Sequence, residues 1–337
     1  MTRPRIAIAP SPAPDWAVAA VEAGGGQVVD TPAEAEGAVW LSWDPAQATA
    51  FLAAAPGLRW VQLPAAGIER FFEHGVFDQV GPANGGPAHD GPAHDGPANG
   101  SPANGDPAHG GPAWTAAQGI YGPGVAEHAL ALLLAGLRQL HERSRATSWG
   151  KPAGRSLFGG RVTILGAGGI TQHLLRLLEP FGVDTTVVRR KPEPLAGATR
   201  TIGLDRLHDA LPGADGVVVA LALTPDTVGV IAEPELRAME GHAWLVNVAR
   251  GRHVVTDDLV RALDEGWIGG AALDVTDPEP LPDGHPLWGH PRCLITPHSA
   301  NTPSMTVGPL SERIRENVRR FGAGEELLGL VDFGAGY

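Results

Sequence analysis

The chain has 337 residues, long enough for two domains with sizeable cores, and 43% of them are hydrophobic, as in a globular protein. A formal net charge of −12 repels phosphate backbones and anionic lipid, so neither nucleic acid nor a membrane surface is an expected partner. Cys293 is the single cysteine, which excludes an intrachain disulfide and makes a Cys-based metal site an unexpected feature; no metal is expected.

The start, "MTRPRIAIAPSPAPDW", lacks the apolar core of a leader, and the longest apolar run, Ala129–Leu137, is far too short for a bilayer. The expectation is a cytoplasmic protein. "RIAIAP" (Arg5–Pro10) reads as a buried strand, and "DWAVAAVEAGG" (Asp15–Gly25) as a helix closed by glycine. "GAVWLSW" (Gly37–Trp43) and "LRWVQLPAAG" (Leu58–Gly67) read as the next two strands, the latter running into a loop of small residues. Strands alternating with helices predict a parallel α/β sheet.

Prolines then recur at 82, 87, 92, 97, 102, 107 and 112, a period of five that fits neither helix nor strand. Missing amide donors and intervening glycines predict a solvated, flexible loop over 81–111. Stretching a short turn to that length costs only roughly 2 kcal/mol of closure entropy, which a large domain tolerates. The His89, Asp90, His94, Asp95 and His109 tract lacks preorganised geometry for a metal, so function is expected elsewhere. "WTAAQG" (Trp114–Gly119) reads as a short strand. "VAEHALALLLAGLRQLHER" (Val125–Arg143) reads as one long helix, apolar on most faces and therefore buried in a core or at a subunit interface. Charge near a helix start and packing account for Glu127 and His128.

"RVTILGAGGITQHLLRLL" (Arg161–Leu178) reads as strand, glycine turn and helix. Gly166 permits the turn, and Gly168 lets backbone approach a pyrophosphate, which meets the helix N-terminus. The third glycine of the dinucleotide fingerprint is replaced by Thr171, a departure at a position that serves close helix–strand packing. At the end of the next strand, where a carboxylate would meet the ribose 2′-hydroxyl of NAD, stand Arg189, Arg190 and Lys191. Arginine forks bind a 2′-phosphate, so NADP(H) is favoured and NAD(H) stays possible.

Three later segments each end a predicted strand with a polar residue. "WLVNVARGRHVVTDDLVRAL" (Trp244–Leu263) places Arg250 after a strand, then a helix capped near Thr256. "GGAALDVTDPEPLP" (Gly269–Pro282) places Glu279 in a proline-rich loop, and "CLITPHSANT" (Cys293–Thr302) ends in His298, with Cys293 read as a buried strand residue. Ligands bind at that edge of an open α/β sheet. These segments resemble the D-isomer-specific 2-hydroxyacid dehydrogenase family, and the resemblance implies reduction of a 2-oxo acid, which needs a hydride at the carbonyl carbon and a proton on its oxygen. An imidazole's intrinsic pKa lies near neutrality, so His298 can give the proton, Glu279 can pair with its imidazole, and Arg250 can hold the substrate carboxylate and polarise the carbonyl.

With "LPAAGIERF" (Leu63–Phe71), "GVAEHALALLLAGLR" (Gly124–Arg138), "LTPDTVGVI" (Leu223–Ile231) and "HPLW" (His285–Trp288), these motifs closely resemble the D-isomer-specific 2-hydroxyacid dehydrogenase family over most of the chain, the proline repeat and extreme termini excepted. The resemblance implies an α/β fold of two Rossmann-like or flavodoxin-like domains with parallel sheets. The substrate-binding domain is discontinuous, 1–122 with 300–337, and the dinucleotide-binding domain, 123–299, is inserted in it. It implies catalytic Arg250, Glu279 and His298, and a second carboxylate clamp from the backbone of Ala66 and Gly67. Cofactor contacts are implied from Gly166, Gly168, Gly169, Ile170, Arg189, Arg190, Thr224 and Ala249, with Asp274 at the nicotinamide carboxamide. It further implies a small 2-oxo or 2-hydroxy acid such as glyoxylate or hydroxypyruvate, bound between the domains, and a homodimer through the 125–143 region. Trp288 and Trp43 are possible pocket residues. Within the resemblance, Glu279 argues against a formate dehydrogenase, which carries an amide there. A phosphoglycerate dehydrogenase-like enzyme and a dinucleotide-sensing corepressor-like protein stay open as alternatives.

Overall fold

In the computed structural model, which describes residues 3–77 and 111–334, the strands build two parallel sheets in two compact units, Met1–Ile120 with Thr306–Tyr337, and Tyr121–Met305. The proline repeat and its predicted loop lie, apart from their last residues, outside the described residues.

The first unit runs β1 (Arg5–Ala9), α1 (Asp15–Ala23), β2 (Gln27–Val29), β3 (Gly37–Trp40), α2 (Pro45–Ala53), β4 (Trp60–Gln62), α3 (Glu69–Glu73) and β5 (Ala113–Thr115). Its sheet order is β2-β1-β3-β4-β5, the doubly wound flavodoxin-like arrangement. The short β2, absent from the sequence reading, has only half-buried or exposed residues, so no apolar run announces it. β5 stops at Thr115, short of the strand expected through Gly119. The Thr115 hydroxyl accepts from the Trp60 indole at 2.9 Å inside the core, and the chain beyond it turns. One apolar cluster of this unit includes Trp40, Leu63, Phe71 and Trp114, and Ile6, Val21, Trp60 and Val318 are buried outside it.

The second unit continues with α4 (Gly122–Leu137), α5 (Leu140–Arg143), β6 (Arg161–Leu165), α6 (Gly169–Leu178), β7 (Asp184–Arg189), β8 (Arg200–Gly203), β9 (Gly216–Val219), α7 (Glu233–Ala238), β10 (Trp244–Asn247), α8 (Thr256–Glu265), β11 (Gly270–Leu273), α9 (Pro286–Gly289) and β12 (Cys293–Ile295). The closing helix α10 (Pro303–Ala323) lies mostly in the first unit. The order β12-β11-β10-β9-β6-β7-β8 reverses direction between β6 and β9, a topological switch point. Strand residues alternate between two cores: Val217, Val219, Leu245 and Leu273 enter one, and Val162, Ile164, Val218 and Val246 the other. A sheet apolar on both faces must carry helices on both, which is why its strands read as continuous apolar runs.

The helix expected over 125–143 is broken. Gln139 adopts a left-handed conformation with φ 53° between α4 and α5. The Leu137 carbonyl, which a continuing helix would offer to the amide of residue 141, instead accepts from the Arg155 amide at 2.7 Å. The apolar residues of α4, Val125, Ala126, Ala129, Leu132 and Leu133 among them, are buried within this unit's core. Among the described residues no helix is long and apolar enough to cross a membrane.

Candidate active site

β6 ends at Leu165, and Gly166 turns the chain with φ +107°, a conformation that favours glycine. A Cβ there would overlap the Ala220 carbonyl oxygen at the end of β9, so the turn is pressed into the switch point. Gly168 occupies the N-cap position of α6, and a Cβ on it would meet nothing within 4 Å. The first amides of α6, from Gly169 and Ile170 onward, have no intrahelical acceptors. An open surface, a glycine cap and a helix N-terminus suit an anionic diphosphate. The absent third glycine finds its explanation here: Thr171 is fully buried, and its hydroxyl donates to the Gly166 carbonyl at 3.0 Å. A separate close approach joins α4 to α6, where a Cβ on Gly122 would lie 3.0 Å from the Gly169 backbone.

Arg189 closes β7, and Arg190 follows it, exposed. Thr224 opens the turn after β9, its amide donating to Thr227 Oγ1 at 2.9 Å. Ala249 is buried just beyond β10. All these positions follow C-terminal strand ends of one sheet. Ala66 and Gly67 lie in the first unit, half-buried beyond the C-terminal end of β4.

Arg250, Glu279 and His298 follow β10, β11 and β12, which are neighbours in the sheet, and their side chains interact. His298 Nδ1 lies 2.7 Å from Glu279 Oε1. An ionised carboxylate only accepts, so Nδ1 carries the proton and Nε2 is the ring nitrogen available to a substrate. The Glu279 hydrogen bond, opposed by burial and reinforced by the Glu279 charge, raises the His298 pKa above its ordinary value; Arg250 works against the rise and Asp274 with it. The same hydrogen bond, against burial, together with the charges of His298 and Arg250, lowers the Glu279 pKa. One Arg250 Nη donates to the Ala249 carbonyl at 2.7 Å, which helps aim the guanidinium.

Gly251 lets these loops meet. A Cβ on it would overlap the Thr276 carbonyl and lie 2.5 Å from Asp277 N, so only glycine allows the Arg250 turn to touch the backbone leading to Glu279. The expected Thr256 cap is corrected: Val255 holds the N-cap position, and the Thr256 hydroxyl donates to the Asp277 carbonyl at 2.6 Å, tying α8 to the same backbone.

Asp274 is buried (2% exposed) at the end of β11 and ties down the loop after β12. Its carboxylate accepts from the Thr296 hydroxyl at 2.7 Å and from the amides of Ser299 at 2.8 Å and Ala300 at 3.1 Å. Its carbonyl accepts the His298 amide at 2.8 Å. Burial alone would raise its pKa, but hydrogen bonds from His128, Thr296, Ser299 and Ala300 outweigh it and hold the pKa below the ordinary value.

Sequence reasoning missed several partners. The buried Asn247 donates to the Arg250 carbonyl at 2.8 Å. The fully buried His253 sets Nδ1 3.1 Å from that carbonyl and Nε2 3.3 Å from the Ala222 carbonyl. A polar side chain inside an apolar strand or helix stripe was the available signal, since such a group needs a partner. Cys293 is buried in β12, and burial pushes its thiol up to about 12, which makes it inert. Trp43 is exposed, and so is Trp288, whose indole donates to the Pro282 carbonyl at 3.1 Å. Among the described residues no His, Cys, Asp and Glu cluster is placed to hold a metal ion.

The family model for the D-isomer specific 2-hydroxyacid dehydrogenase NAD binding domain matches residues 128–300. The chain is 43% identical over 231 residues to the protein of the proB 3′ region of Corynebacterium melassecola, covering 66% of this chain and 76% of that one. It is 35% identical over 222 residues to glyoxylate/hydroxypyruvate reductase A of Photorhabdus laumondii, covering 64% and 69% of the two chains. A D-isomer specific 2-hydroxyacid dehydrogenase from Xanthobacter autotrophicus Py2, solved in complex with NADPH and MES, superposes with a TM-score of 0.78 at 27% identity, covering 100% of both chains.

Proposed function

This chain belongs to the D-isomer specific 2-hydroxyacid dehydrogenase family, and from that premise we propose that it reduces a small 2-oxo acid, of the glyoxylate or hydroxypyruvate kind, to the D-2-hydroxy acid with NADPH. It is an NAD(P)-dependent oxidoreductase, with NADP favoured. The observation that carries the substrate class is the meeting of Arg250, Glu279 and His298 at adjacent strand ends.

When bound, the nicotinamide supplies the hydride. The α6 N-terminus with Gly166, Gly168, Gly169 and Ile170 would hold the diphosphate, and Thr224 and Ala249 would border the cofactor. Arg189 and Arg190 would pair with the 2′-phosphate, as the NADPH found in the Xanthobacter protein supports. Asp274 Oδ2 accepts one hydrogen bond, from Ala300, and keeps capacity for another from the carboxamide.

On the substrate, Arg250 presents paired N–H donors to the carboxylate and carries positive charge where the carbonyl oxygen becomes negative. The protonated His298 gives its Nε2 proton to that oxygen, while Glu279 keeps the proton on Nδ1 and stabilises the imidazolium beforehand. In the reverse direction the neutral ring takes the hydroxyl proton at Nε2. Ala66 and Gly67 would offer backbone amides to the carboxylate. The proposed assembly is a homodimer, checked by light scattering. The test of the function is a nicotinamide absorbance screen at about 340 nm with NADPH and NADH against a panel of 2-oxo acids. Turnover preferring NADPH and small 2-oxo acids supports the reading, and cofactor binding without turnover refutes it.

A further inference from the structure

His128 stands on the buried stripe of α4, three residues after Val125 and four before Leu132, both buried. Its Nε2 lies 2.9 Å from Thr296 Oγ1 and 3.3 Å from Asp274 Oδ1. The Thr296 hydroxyl proton is already committed to Asp274 Oδ1, so its oxygen accepts and His128 Nε2 donates. A directed chain therefore runs from α4 through Thr296 into the Asp274 carboxylate. That carboxylate, with the Asp274 carbonyl, takes the backbone amides of His298, Ser299 and Ala300.

His298 needs such support. Its φ is +49°, in the left-handed region that residues with a Cβ adopt uncommonly. In that turn its ring meets Glu279.

We propose that His128 is a positioning residue for the reduction: directly and through Thr296 it holds the Asp274 carboxylate, and Asp274 holds the strained turn that aims His298 at Glu279. The purpose of the turn rests on the reductase reading above, whereas the network does not. Burial opposes the charge on Asp274, and the His128 hydrogen bond leads those that offset it. The titratable side chains acting on this carboxylate are His128 from α4 and His298 from the loop after β12. Without the His128 donor, Asp274 takes up a proton at higher pH, and a neutral carboxyl no longer accepts as many bonds from the turn.

The test uses the full chain as His128→Leu, His128→Gln and Thr296→Val. Hydrogen exchange at residues 296–300 reads the turn whether or not any substrate is turned over. The Leu variant should exchange about tenfold faster there. Its kcat should fall about tenfold, with the NADPH KM within about twofold and the acid limb of the kcat profile moved to higher pH. Gln, a neutral donor, should restore both protection and rate. Thr296→Val keeps the shape but removes the hydroxyl that accepts from His128 and donates to Asp274, and should move exchange and kcat in the same direction as Leu. Wild-type exchange and kcat in the Leu and Val variants, or a Gln variant as impaired as Leu, would overturn the proposal. If the wild-type chain reduces no 2-oxo acid, the reductase reading fails and exchange alone decides the inference: protection kept in Gln and lost in Leu upholds the network, and equal protection in all variants rejects it.

Discussion

Gly251→Ala adds a single methyl where two loops of the candidate active site touch. The new carbon would overlap the Thr276 carbonyl and lie 2.5 Å from Asp277 N, whereas real Cβ atoms essentially never come within 3.0 Å of such neighbours. The obstructing atoms are backbone, so no side-chain rotation relieves the overlap, and the loops must separate by roughly 1 Å at the expected overpacking penalty of about 1–3 kcal/mol. Arg250 sits on one side of the contact, and the backbone leading to Glu279 on the other. A misplacement of that size lowers turnover by about 100-fold. The destabilisation corresponds to a fall in Tm of roughly 2–12 °C for a unit of this size. Steady-state NADPH oxidation and a thermal melt measure the two, with Gly289→Ala, whose Cβ meets nothing within 4 Å, as the matched control. A Gly251→Ala protein with wild-type kcat and Tm would refute the argument that this close approach holds Arg250 beside Glu279.

His298→Ala should lower kcat by about 10²- to 10⁴-fold while leaving NADPH affinity, measured by titration calorimetry, nearly intact; unchanged turnover would remove the histidine from the chemistry. Glu279 raises the His298 pKa, and the reduction uses the protonated ring, so the rate falls as pH rises through that pKa. Glu279→Gln deletes the hydrogen-bonded charge, and the alkaline limb of the reductive profile should move to lower pH; a limb that stays put contradicts the pairing. Arg189→Asp should shift cofactor preference from NADPH towards NADH, read as the ratio of kcat/KM values, and a constant ratio would dismiss the 2′-phosphate contact. Thr171→Val keeps the side-chain shape but removes the buried donor to the Gly166 carbonyl, so urea unfolding should show a loss of about 1–2 kcal/mol, and an unchanged midpoint would mean the hydroxyl does nothing there.

Much of the second unit was legible because its signals are local. The apolar, β-branched run at Val162–Leu165, a glycine turn and an amphipathic helix specify a strand, a crossover and an anion-binding helix start within eighteen residues. The same holds for β10, β11 and β12, whose apolar runs stop where Arg250, Glu279 and His298 follow. Short β2 escaped because an edge strand of three partly exposed residues carries no pattern. The break at Gln139 escaped because the Arg155 amide that takes the Leu137 carbonyl lies eighteen residues away.

The sequence by itself therefore determined the two-sheet α/β class, the dinucleotide turn and the identity of the three polar residues at the strand ends. Only the tertiary structure decided that those residues share one place, since this depends on β12, β11 and β10 lying side by side. It alone decided that His128 reaches Thr296 across 168 residues of chain, and that Thr171 replaces a glycine without loss of the turn. Periodicity records which face of an element is apolar, whereas a hydrogen bond between distant elements is set by strand order and side-chain packing, which no local stretch of chain encodes.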